Sequence, residues 1–249
     1  MSRADSSRDH LHAPVLRIPE PHPPHRGLFI SFEGGDGAGK TTQIAMLQAH
    51  LVRERSVSED LVMVTREPGG TPLGAQIREL GLHGDHVDER AEALLYAADR
   101  AHHIASTVRP HLARGGLVLT DRYLDSSIAY QGGGRSLDAD QIAALSLWAT
   151  GSLLPDRTIL LDIPEGALAS RRGEAQLDRL EKEGGGFRRQ VRETFLELAA
   201  AAPSRFAVVD GTLPREEVHR EILAAIEGDL SRYDPTFSPE TVPSRWDEE

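Results

Sequence analysis

Short apolar runs alternate along this chain with stretches whose apolar residues recur every three or four positions. The runs are Gly27-Leu28-Phe29-Ile30-Ser31-Phe32, Leu61-Val62-Met63-Val64-Thr65, Leu117-Val118-Leu119-Thr120-Asp121, Thr158-Ile159-Leu160-Leu161-Asp162 and Arg205-Phe206-Ala207-Val208-Val209-Asp210. They show little polar alternation, as expected of strands buried on both faces of a parallel sheet. Helical spacing appears at Ile44, Leu47 and Leu51. It recurs at Ala91, Leu94, Leu95, Ala98, Ala101, Ala105, Val108 and Leu112, and at Ile142, Leu145 and Ala149 behind Asp138 as N-cap. Two more stripes follow: Phe187, Val191, Phe195 and Leu198, then Val218, Ile222 and Ile226 in a helix opened by Pro214. Strands alternating with helices predict an α/β fold, a five-stranded parallel sheet covered by helices on both faces. One domain over residues 27–230 accounts for the pattern. Residues 1–26 hold five prolines and four histidines and read as a disordered extension; from Asp229 onward the periodicity stops, and residues 231–249 read as a disordered tail.

The loop after the first run is Glu33-Gly34-Gly35-Asp36-Gly37-Ala38-Gly39-Lys40-Thr41-Thr42, which matches G-x-x-x-x-G-K-[ST]. Glycines let a loop turn its N–H groups inward around phosphates, and the N-terminus of the next helix adds to that field. In this pattern the lysine reaches the β- and γ-phosphates and the hydroxyl ligates Mg²⁺. Gly34, Gly35, Asp36, Gly37, Ala38, Gly39, Lys40, Thr41 and Thr42 are therefore candidate ATP-binding residues. The motif alone leaves open what is done with the nucleotide.

Other strand ends carry chemistry too. The second run leads into Arg66-Glu67-Pro68-Gly69-Gly70-Thr71, where Arg66 is placed for a phosphate. The third ends in Asp121, a candidate neighbour of Mg²⁺ beside Thr41, with Arg122-Tyr123 next. Tyr130-Gln131-Gly132-Gly133-Gly134-Arg135 reads as a segment closed by a glycine turn. Helix alternation alone makes Arg100 a solvated charge. Residues Arg171 to Arg192 hold seven Lys and Arg against four acids around Gly184-Gly185-Gly186, the composition of a glycine-hinged basic lid.

Composition narrows the function classes. The 249 residues are 39% hydrophobic and 27% charged, with a net charge of −11 and no cysteine. That excludes disulfides, thiolate metal sites and cysteine nucleophiles, and it argues against a nucleic-acid or membrane-surface binder. A few arginines in a cleft can still hold a small anion, because distant charges are screened beyond roughly 8–10 Å. No apolar run is long enough to span a membrane and no secretory signal is visible, so a cytoplasmic protein is expected.

Arg66-Glu67-Pro68-Gly69-Gly70-Thr71, Leu94-Leu95-Tyr96-Ala97-Ala98-Asp99-Arg100, Asp121-Arg122-Tyr123, Ser126-Ser127-Ile128-Ala129-Tyr130-Gln131-Gly132 and Leu177-Asp178-Arg179-Leu180-Glu181 stand in the order in which bacterial thymidylate kinases carry their signatures. The resemblance covers residues 27–230. It implies a P-loop kinase fold with a basic lid at about 171–186, Mg²⁺-dependent transfer from ATP to dTMP, and a homodimer. By position, Asp36 is expected to bind the deoxyribose 3′-hydroxyl, Arg66 and Arg122 to hold the acceptor phosphate, and Arg78 to line the acceptor site. Arg100 is expected to hydrogen-bond thymine, Tyr96 to stack on it, Ser127 and Gln131 to complete the base pocket, and Tyr130 to pack against the sugar. Asp210 is expected beside adenine. Because Gly37 stands where some members carry a P-loop arginine, the resemblance assigns a catalytic contact to Arg171, Arg172 or Arg179 without choosing among them. The stacking position is usually phenylalanine, and here it is Tyr96. Two other readings stay open: a kinase of this fold with a different acceptor, and a nucleotide-dependent interaction protein.

Overall fold

The computed structural model of the chain describes residues 27–83, 87–134, 137–172 and 184–233. Its centre is a five-stranded, all-parallel sheet in the order β2-β3-β1-β4-β5. The strands are β1 (Leu28–Glu33), β2 (Val62–Arg66), β3 (Leu117–Asp121), β4 (Arg157–Asp162) and β5 (Phe206–Asp210). Side chains alternate between faces, and both faces are covered. Leu28, Ile30 and Phe32 of β1 pack under α1 (Lys40–Arg53) and α9 (Arg215–Arg232), joined by Leu47, Ile222 and Ile226. Phe29 points the other way, into a core with Ile128, Phe195 and Leu198. Two-sided burial explains the apolar runs of β1, β3 and β4; the edge strands β2 and β5 depart from that expectation, leaving Val64 and Val208 45% and 52% exposed.

The opposite face is built from α2 (Pro72–His83), α3 (Glu89–His103) with its continuation α4 (Arg109–Ala113), α5 (Leu124–Ser127), α6 (Ala139–Thr150) and α8 (Gly185–Ala201). Between β4 and α8 lies α7 (Glu165–Arg172). Asp138 caps α6 as expected, its carboxylate accepting from the backbone N–H groups of Asp140 and Gln141. Parallel strands bring every strand's C-terminal end to one edge. There the order changes direction around β1, the arrangement that opens a ligand crevice.

Four further sequence expectations are corrected. The apolar stripe of α3 does not face the core: Leu94 is 58% exposed, whereas Glu92, Tyr96, Asp99, Arg100 and His103 are buried. The buried face of α3 closes onto a polar crevice, so hydrophobic spacing points to the wrong side, and Arg100 is a buried charge and not a solvated one. Gly132, Gly133 and Gly134 do not form the expected turn; α5 runs into a widened π-helical segment, Ile128–Gly134, that includes them. Gly184 adopts φ 90° as the N-cap of α8, and Gly185 and Gly186 already lie in the helix. Finally, α9 continues past Asp229 to Arg232, because buried Asp229 accepts from Arg157 at 2.8 Å.

Candidate active site

The loop between β1 and α1 is shaped by left-handed glycines: Gly34, Gly37 and Gly39 have φ of 130°, 82° and 96°. A Cβ on Gly34 would stand 2.6 Å from the Leu161 carbonyl oxygen, so only glycine fits. Gly39 caps α1, whose first N–H groups open toward the loop. Lys40 is 6% exposed and its ammonium donates to the Gly34 and Gly35 carbonyls, both at 3.1 Å, with Asp121 4.0 Å away. Burial, and next the charge of Arg122, lower its pKa; Asp121, Asp36 and Glu33 work against that shift. Thr41 donates its hydroxyl to Asp121 Oδ2 at 2.8 Å. Asp36, Gly37, Gly39, Lys40, Thr41, Thr42, Arg66, Asp121 and Arg122 line one open cavity.

A second, smaller cavity adjoins it and is lined by Pro68, Tyr96, Asp99, Arg100, Ser127, Tyr130 and Gln131, among others. Arg100 is held here on all its nitrogens. Nε donates to Glu67 at 2.7 Å, Nη1 to Ser146 at 3.3 Å, and Nη2 to Ser127 at 3.0 Å and to the Tyr123 carbonyl at 3.4 Å. Glu67 in turn pairs with His103 at 2.8 Å, and His103 meets Thr65 at 2.8 Å. Gln131 donates to Glu92 at 2.9 Å. Tyr96 is 6% exposed, and its ring rests on α2 where Gly81 leaves room. Burial, and next the Glu67 carboxylate, push Asp99 up to about 6.

Asp36, Glu67, Arg78 and Arg122 line both cavities. Arg122 stands at the junction with φ 71°, a left-handed conformation that costs a non-glycine residue about 1–3 kcal/mol. Its Nη1 donates to the Gly34 carbonyl at 3.1 Å and to Ser126 at 3.0 Å. Its Nη2 donates to Asp36 at 2.5 Å and to the Tyr130 hydroxyl at 3.2 Å. The guanidinium carbon lies 5.0 Å from the Tyr130 ring centroid. Burial disfavours the Arg122 charge, yet Asp36, Tyr130 and Asp121 hold its pKa well above the ordinary arginine value.

Most of the residues singled out from the sequence therefore meet at two connected cavities. Arg66 lines only the glycine-loop cavity, whereas Arg78 lines both and donates to the Pro68 carbonyl at 3.1 Å. Asp210 ends β5 on the same sheet edge, its carboxylate accepting from the Thr212 N–H at 2.8 Å, but it is not among the residues lining either cavity. Arg171 and Arg172 form the end of α7, and Arg179 lies outside the described residues. Of the basic stretch, Arg188 and Arg192 are engaged at the α8 root with Glu165 at 3.2 Å and Asp162 at 2.6 Å.

A glycine-loop phosphate cavity joined to a smaller cavity with a buried arginine suits a phosphoryl donor and an acceptor. Comparison with known proteins agrees. The family model described as thymidylate kinase matches residues 32–222. The chain belongs to the thymidylate kinase family. It is 57% identical over 201 residues to the thymidylate kinase of Clavibacter sepedonicus, covering 80% of this chain and 93% of that one. With the thymidylate kinase of Bifidobacterium longum strain NCC 2705 it shares 54% over 209 residues, 82% of this chain and 97% of the relative. With that of Deinococcus radiodurans it shares 48% over 205 residues, 81% and 97%.

In this thymidylate kinase family member, several polar residues at the site had no role assigned from the sequence. Glu33, Glu67, Asp99, His103 and Ser126 are not distinguished by periodicity or by the loop motif, and yet they line the cavities or hold residues that do. A charged residue closing an apolar strand, as Glu33 does, is the signal that could have marked one of them. Burial, and next the Asp125 carboxylate, push Glu33 up to about 8.

Proposed function

We propose that the chain phosphorylates dTMP to dTDP with ATP by direct in-line transfer, with the donor phosphates in the glycine-loop cavity and dTMP in the adjoining one. The carrying observation is Arg122, bonded at once to the loop carbonyl of Gly34 and to Asp36 where the two cavities meet. A cation there can hold the acceptor phosphate against the repulsion of the donor, which is the main electrostatic demand of phosphoryl transfer. The dTMP phosphate is itself an anionic nucleophile, so no general base is needed.

Lys40 faces the β- and γ-phosphates, while Arg66 and Arg78 add positive charge on the acceptor side. Asp36 accepts from the sugar 3′-hydroxyl, and Tyr130 covers the sugar. Tyr96 stacks on thymine; Arg100, Ser127 and Gln131 bind its edge. Thr41 and Asp121 fit a Mg²⁺ ion: they offer hard oxygen donors 2.8 Å apart, and Mg²⁺ completes its shell with water and substrate phosphates and not with a protein cage. Bound there, the ion neutralises charge on the donor phosphates. Gly37 leaves the loop without an arginine of its own, which supports a contact from Arg171, Arg172 or Arg179 to the transferring phosphoryl. The Asp210 turn is assigned to the adenine side.

The proposal includes a homodimer. The outer face of α3 carries Leu94, and exposed Leu80 on α2 and Trp148 on α6, the latter 81% exposed, belong to helices packed beside it. Apolar surface of this kind marks association sites. No described helix is long and apolar enough to cross a membrane, which is compatible with action in the cytoplasm.

The test is ADP release by purified protein with Mg-ATP and dTMP, dUMP, thymidine or no acceptor. A rise with dTMP well above the others is expected. An equal response to dUMP favours a broader pyrimidine kinase, and release independent of acceptor rejects the reading.

A further inference from the structure

Glu33 is fully buried at the end of β1 and lines neither cavity. A buried carboxylate is costly, and a second one, Asp125, contributes to its raised pKa. A core position serving packing alone would do better with an apolar residue. Both Glu33 oxygens are instead committed to the segment that carries Arg122. Oε1 accepts from the Tyr123 backbone N–H at 2.8 Å, and Oε2 accepts from the Ser126 hydroxyl at 2.6 Å. Ser126 Oγ is the atom that accepts from Arg122 Nη1 at 3.0 Å. Two further bonds close the clamp: the Arg122 N–H donates to the Phe32 carbonyl at 2.9 Å, and Thr120 Oγ1 donates to the Arg122 carbonyl at 2.9 Å.

Arg122 sits at φ 71°, and a non-glycine residue keeps that conformation only where its surroundings over-determine it. We infer that Glu33 is a positioning residue for phosphoryl transfer: through Ser126 and the Tyr123 N–H it fixes the backbone and guanidinium of Arg122 against the acceptor phosphate. The hydroxyl direction matters. Ser126 can accept from Arg122 while its own proton goes to an acceptor at Glu33. In Glu33→Gln the amide NH2 replaces one of the two accepting oxygens, either the one facing the Ser126 hydroxyl or the one facing the Tyr123 N–H, so one of the two bonds is lost. The inference rests on the function proposed above, because it needs Arg122 to meet a phosphate.

The test is calorimetric titration, at about pH 9 where the Glu33 carboxyl is ionised, of dTMP and of thymidine into the full chain and into Glu33→Gln and Ser126→Ala, with circular dichroism to check folding. Thymidine lacks the phosphate and reports the base and sugar pocket alone. A roughly tenfold or greater loss of dTMP affinity in both variants is expected, with thymidine affinity changed less than about twofold. In an Arg122→Ala background, Glu33→Gln should cause no further loss. Equal losses for both ligands, or none for dTMP, overturn the inference and leave Glu33 a structural acid. Should Glu33→Gln not fold, Ser126→Ala decides alone. Failure of the unaltered chain to bind dTMP overturns the function reading, and this inference with it.

Discussion

Arg100 Nε donates to Glu67 Oε2 at 2.7 Å with both side chains almost wholly buried. The pair lines the smaller cavity, and each partner depends on the other for charge balance. Removing one side of such a pair strands the other. Glu67→Ala is expected to destabilise the protein by about 3–5 kcal/mol, read as a fall in denaturation midpoint, and to weaken dTMP binding. Glu67→Gln keeps an acceptor for Arg100 and should lose less on both measures. Equal stability of Glu67→Ala and wild type would reject the coupling.

At the junction of the cavities, Lys40→Ala and Arg122→Ala each remove a cation from the developing charge. Turnover should fall by at least about 10²-fold in either variant, since preorganised charge of this type is worth that much. Circular dichroism should remain that of a folded α/β protein. Rates near wild type would remove these residues from the mechanism.

Gly81 sets the position of the Tyr96 ring. A Cβ there would stand 2.7 Å from the Tyr96 hydroxyl and 2.9 Å from Cε1. Gly81→Ala should therefore push the ring into the smaller cavity. KM for dTMP is expected to rise several-fold with KM for ATP unchanged, measured by varying each substrate in turn.

The raised pKa of Asp99 has a consequence for stability. Its ordinary value is 3.8, and burial brings it to about 6 in the folded chain. Between those values the folded state binds more protons than the unfolded one, so this group's contribution falls as pH rises through the window. Asp99→Asn should gain stability relative to wild type at pH 7 and show no such gain at pH 4. Thermal denaturation at the two pH values checks the sign.

If α3 forms the surface between two copies, Leu94→Glu together with Trp148→Glu should halve the sedimenting mass. An unchanged mass would place the interface elsewhere.

The sequence by itself determined the sheet and the phosphate loop. Central strands buried on both faces must be mostly apolar, as Leu28 to Phe32 are apart from Ser31, whose hydroxyl is paired with that of Thr158, and the loop glycines at Gly34 and Gly39 have no substitutes at their φ angles. The helix carrying Arg100 was legible as a helix and misread as to its buried side. Its apolar residues face outward at Leu94, and its polar ones face a crevice that other elements create. Periodicity along one chain records that two faces differ; it does not record what each face meets. The same reason hid Glu33, whose partners Tyr123 and Ser126 lie about ninety positions away and reach it only because β1 and β3 pair in parallel register. Only the tertiary structure decided that Arg122, held at an unfavourable φ by bonds from both strands, stands where the two cavities meet.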